Sequence, residues 1–205
     1  MFEGTSGKIT ACTSRAPQFT MYSHDGLASA VEDCLKNSPV GDCSTDFPIG
    51  HWDVSRINDM HTIFAYENDF NADISKWDVS IVANMRRMFY SATVFNADIS
   101  NWDVSAVTEM GGMFDEAASF NADISKWNVS GVTDMNSMFS DTKAFNADIS
   151  KWDVSSVNDM NWMFYRAGPF NVDISKWDVS AVTDMTNMFV KTSSFDQVCC
   201  IIFLE

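Results

Sequence analysis

The sequence predicts an α/β, leucine-rich-repeat-like solenoid of about six 25-residue coils, each a short parallel strand plus a short helix, with an N-terminal helical cap. Three observations predict it. Blocks of sequence recur every 25 residues, the apolar spacing changes character halfway through each block, and residues 1–46 lack the repeat. One strand and one short helix cannot bury both their apolar faces alone, so identical neighbours must stack on them.

The repeat comes first. Phe70-Asn71-Ala72-Asp73-Ile74-Ser75 returns at 95–100, 120–125 and 145–150, and at 170–175 with Val172 as the single change. Trp52, Trp77, Trp102, Trp127, Trp152 and Trp177 keep the period, as do Met60, Met85, Met110, Met135, Met160 and Met185. The chain therefore divides into a cap at 1–46, a repeat region at 47–197, and an apolar cap or tail at 198–205.

Within a coil, Trp102 and Val104 alternate with Asn101 and Asp103, which reads as a strand of three to five residues. Ile99 is out of phase with Trp102, so a turn or bulge separates them. Val107, Met110, Met113, Phe114 and Ala117 fall at helical spacing, with Ser105 or Thr108 to cap the helix. The cap carries Leu27, Ala30, Val31, Cys34 and Leu35 at helical spacing over 26–36, stopped by Asn37-Ser38-Pro39. Cys34 and Cys43 flank the turn Pro39-Val40-Gly41-Asp42 closely enough to form a disulfide; with five cysteines in all, at least one thiol is left over or pairs between chains.

The run Trp-Asp-Val-Ser-x-Val-Thr-x-Met-x-x-Met-Phe-x-x-Ala-x-x-Phe-Asn-x-Asp-Ile-Ser resembles the repeat of bacterial, mycoplasmal and algal surface proteins grouped with BspA-like leucine-rich repeats. The resemblance covers 47–197 and implies an LRR-like solenoid, a place at the cell surface, and a role in adhesion or protein binding. It brings no catalytic residues, since that family has none assigned. The segment with Asp42-Cys43 ahead of Ile49-Gly50-His51-Trp52 is similar to the family's leader, whereas Cys199-Cys200-Ile201-Ile202-Phe203 departs from its pattern.

A net charge of −15 and a pI near 4.3 argue against nucleic acid and anionic membranes as partners. No apolar run is long enough to span a membrane, and Met1-Phe2-Glu3-Gly4-Thr5 carries no basic-then-apolar leader. His24, His51 and His61 show no partner at metal-ligand spacing, and no phosphate loop or nucleophile elbow is present, so neither metal nor cofactor nor catalysis is expected. The tryptophans, in phase with valine, belong in the core rather than on a sugar-binding platform. The aspartate columns Asp73 to Asp173 and Asp53 to Asp178 are expected to bond turn N–H groups in preference to calcium, and Asn71 to Asn171 to form a buried amide ladder. Asn128-Val129-Ser130 matches a glycosylation sequon, read as drift from aspartate.

Partners can be told apart only where the coils differ. The pairs between the methionines vary: His61-Thr62, Arg86-Arg87, Gly111-Gly112, Asn136-Ser137, Asn161-Trp162 and Thr186-Asn187. Trp162, Tyr165 and Arg166 fall on one outward face, and Arg86, Arg87 and Tyr90 make a similar group; these are the residue types of binding hot spots. The sequence thus points to a non-catalytic interaction or adhesion module, extracellular or at the cell surface, with a protein or cell-surface partner. The alternatives are a structural subunit of a larger assembly, docking through Ile201, Ile202 and Phe203, or a cation-binding surface protein.

Overall fold

The computed structural model describes residues 20–41, 43 and 47–196. The apolar end with Ile201, Ile202 and Phe203 lies outside the described residues.

One helix, α1 (His24–Asn37), stands where the cap's apolar spacing predicted one. The Ser23 hydroxyl caps it by accepting the Gly26 N–H at 3.1 Å, and Asp25 and Lys36 suit the two ends of its dipole. Its buried face, Leu27, Val31, Cys34 and Leu35, packs into the same core as the repeats. A 3-10 turn, Ile49–His51, leads into the first coil.

The strand-plus-helix coil is overturned. Among the described residues the repeat region holds no α-helix and no strand. Successive coils meet instead at isolated parallel bridges, Asp59 to Asn84 to Glu109 to Asp134 to Asp159 to Asp184, one residue per coil at a step of 25. The segment read as a helix is a run of turns. In the second coil Met88, Tyr90 and Ala92 donate their N–H groups locally, to Met85, Arg87 and Phe89. Their neighbours Met85, Arg87, Phe89 and Ser91 donate across to Glu109, Gly111, Met113 and Asp115 of the next coil, at 2.8–3.0 Å.

An α-helix would keep every one of those N–H groups for the carbonyl four residues back. Left-handed residues prevent it. Arg87 and Ser91 have φ of 51° and 58°, and the equivalent pairs Thr62/Tyr66, Gly112/Glu116, Ser137/Asp141, Trp162/Arg166 and Asn187/Lys191 do the same. The segment read as a strand is folded by turns too, with Trp102 N–H on the Ile99 carbonyl and Val107 N–H on Val104.

Burial follows the sequence pattern even though the backbone does not. All six tryptophans from Trp52 to Trp177 are buried. Five of them, from Trp77 onwards, donate the indole N–H to an isoleucine carbonyl 28 residues back, at 2.9–3.2 Å, so the polar edge of a buried ring is satisfied. Two columns of phenylalanine fill the rest. Rings pair within a coil, as Phe114 and Phe120 do at 3.7 Å between centroids, and stack between coils, as Phe95 and Phe120 do at 6.1 Å.

Candidate functional site

The left-handed residues decide what faces outward. In the first five coils each donates its N–H to the following coil, Trp162 to the Thr186 carbonyl and Arg166 to Val190, so equivalent positions line up in register. With the position before Arg166 they form one face along the stack, and on it no residue is common to all coils.

Trp162, Tyr165 and Arg166 come together there. Trp162 and Tyr165 meet edge to face at 4.5 Å, and the Arg166 guanidinium lies 5.1 Å from the Tyr165 ring centre. At 38% exposure the indole is partly covered, so it is a held ring with one open side. Arg87 lies 5.5 Å from the Tyr90 ring, a second pair of the same kind. Arg86 does not join it. Its guanidinium pairs with Asp134, two coils on, across Gly111, where an added Cβ would stand 3.2 Å from the Arg86 Nη1.

Tyr66, which sequence reasoning passed over, completes the second cluster. It is 67% exposed and meets Tyr90 edge to face at 5.0 Å. Its signal was positional, because it lies four coils before Arg166 in the same column. Between the two aromatic clusters the face is acidic: Asp115, Glu116 and Asp141. Burial pushes the Asp115 carboxyl up to about 6, with Glu116 and Asp141 adding to it and the Ser140 hydroxyl and Arg87 opposing. Lys143 at 2.6 Å and Arg166 at 3.8 Å pair with Asp141.

The repeated polar columns are satisfied within the fold. In the first, Asp73, Asp98, Asp123, Asp148 and Asp173 each accept the N–H of the serine two residues on, at 2.9–3.0 Å. Bonds to that serine hold all five carboxyls below the ordinary carboxylate range. Asn128 takes the equivalent bond from Ser130 in the second column, at 3.2 Å, so an amide replaces the charge without losing the turn. The asparagine ladder differs from the expected buried one. Asn71, Asn96, Asn121 and Asn146 are exposed, and each side-chain oxygen accepts the N–H of the next asparagine at 2.8–2.9 Å.

Cys34 and Cys43 are joined, their Cα atoms 4.8 Å apart, which ties the end of α1 to the start of the repeats. His24, Asp59 and His61, separated in sequence, also meet at this end of the molecule. No helix among the described residues is long and apolar enough to cross a membrane.

The model of a family described as "Mycoplasma protein of unknown function, DUF285" matches residues 37–143 and 121–200. No curated protein and no solved structure matches the chain.

Proposed function

Since the chain belongs to the Mycoplasma protein family of unknown function DUF285, we propose that it is a non-catalytic interaction module, displayed at the cell surface, that binds a protein or other surface partner through its variable face. The resemblance of its repeat to BspA-like surface proteins supports the surface location and an adhesive role. One observation carries the reading. Trp162, Tyr165 and Arg166 are clustered and partly exposed on a face where coils differ, while the repeated columns bond within the fold. An identical column can hold a fold together but cannot mark one place on it; a held aromatic pair with an arginine can.

The test is binding to surface fractions of the native source. Trp162→Ala and Tyr165→Ala should each weaken binding by about 1–3 kcal/mol with the fold intact. Binding that survives both changes, and falls instead when Lys126 and Lys151 of the repeated columns become alanine, overturns the assignment.

A further inference from the structure

We propose that His24, Asp59 and His61 form a three-ligand site for a borderline divalent metal ion of the Zn²⁺ class, joining the cap to the first coil. Their ligand atoms all lie within 4.8 Å of one another. The residues come from two separate parts of the chain: His24 opens α1, and Asp59 and His61 belong to the first coil. Two imidazoles and one carboxylate suit zinc, and three protein ligands leave a further position for water or a partner's side chain.

Two further observations point to a ligand. The His24 Nδ1 is buried with no hydrogen-bond partner among the described residues. Buried polar atoms are nearly always satisfied, and a neutral imidazole nitrogen has a lone pair that a metal ion takes. The first coil also differs from the rest at this position. Asn84, Asp134, Asp159 and Asp184 use their side-chain oxygen to accept the N–H two residues on, and Asp59 does the same at 3.0 Å. Only in the first coil is the residue two places on a histidine; elsewhere it is Arg86, Gly111, Asn136, Asn161 or Thr186. The turn therefore fixes the carboxylate and sets His61 beside it, Nδ1 at 2.9 Å from the Asp59 oxygen.

The rings of His24 and His61 are stacked 4.0 Å apart. A tetrahedral ion with ligands near 2.1 Å needs the ligand atoms roughly 3.4 Å apart and close to the plane of each ring. Closing from 4.8 Å therefore also requires the two rings to turn out of their parallel stack. The histidine ring torsion is soft enough to supply it.

The test uses the full chain, chelator-stripped, with free thiols alkylated so that Cys12, Cys199 and Cys200 cannot bind the ion. Titration with Zn²⁺ should give one site per chain and a rise in Tm. In wild-type protein the imidazole NMR signals of His24 and His61 should shift while those of His51 stay in place. His24→Gln and His61→Gln should each weaken binding at least tenfold, and Asp184→Asn, the equivalent carboxylate in the last coil, should not. No one-to-one binding, equal shifts at all three histidines, or binding that survives both glutamine variants overturns the proposal. The NMR result does not depend on the variants folding, and neither readout depends on the surface-partner reading.

Discussion

Each repeat has an inner side and an outer side, and the two obey different rules. Inward, Phe64, Phe89, Phe114, Phe139, Phe164 and Phe189 are one residue six times; outward, Thr62, Arg87, Gly112, Ser137, Trp162 and Asn187 are six different residues. Both columns lie on the same backbone and take part in the same cross-coil bonding, with Phe89 N–H on the Met113 carbonyl and Arg87 N–H on that of Gly111. The difference shows that in these two columns the main-chain bonds hold the register whatever the side chain. Side-chain identity is constrained only where the side chain must fill a shared core, so the outer column is open to change.

The largest test of that contrast is inside. Phe120 is fully buried and packs on Phe114 at 3.7 Å, with Phe95 and Phe145 on either side. Phe120→Ala should cost about 3–5 kcal/mol in chemical denaturation. A loss below about 1 kcal/mol would mean the aromatic columns are not the core.

Charge gives the next contrast. Asp115 is held at about 6 in the fold against about 3.9 for a free side chain. The fold favours its protonated form, so the stability it contributes is full below pH ~4 and is lost as pH rises through about 6. The column carboxyls run the other way. Those of Asp98, Asp123 and Asp148 are lowered, so their contribution is present above pH ~4 and disappears as pH falls through their lowered values. Asp115→Asn should remove the decline between pH ~4 and 6, leave the acid limb alone, and stabilise the protein at pH 7 by about 1 kcal/mol after solvent screening. Unfolding curves across pH would show it.

A smaller effect is expected on the outer backbone. Thr62 is a branched residue at φ 56°, a conformation that the third coil gives to Gly112. Thr62→Gly should raise stability by about 0.5–1 kcal/mol, the relief of left-handed strain being partly offset by a more flexible unfolded chain. Loss of stability would show that the threonine side chain contributes more than its backbone costs. The smallest change is predicted for Trp162→Ala, within about 0.5 kcal/mol in the same assay, because one side of the ring is already open.

What could be read in advance was burial and local bonding. The tryptophan phase, the α1 apolar face and the aspartate turns all follow from residue type and spacing. The coil backbone did not, for a physical reason. Met85, Met88, Phe89 and Ala92 at offsets 0, 3, 4 and 7 point one way on a helix, and they also do so on a run of three-residue turns. Only left-handed residues separate the two, and glycine, their usual signal, occupies just one of the twelve repeated left-handed positions. The asparagine ladder was read as buried because its repetition suggested a core role, yet its oxygens bond along an exposed edge. The outer face was legible as variable, but Tyr66 was missed because the pair of its own coil, His61-Thr62, offers no tryptophan or arginine to draw attention to it. The meeting of His24 with Asp59 and His61 depends on how the cap folds back on the first coil, which no local spacing records.

The alternation of local and cross-coil hydrogen bonds has a mechanical consequence. Every second N–H along the turn segment is held by the neighbouring coil, so a coil detached from the stack loses half of that bonding together with its aromatic contacts. Under tension applied at its ends the molecule would give way in steps, each releasing one coil of 25 residues, or roughly 85 Å of extended chain. The Cys34–Cys43 bond locks its own loop against extension at any load that leaves covalent bonds intact. A string of yielding units behind one covalent clasp dissipates force gradually, which suits a tether more than a rigid strut.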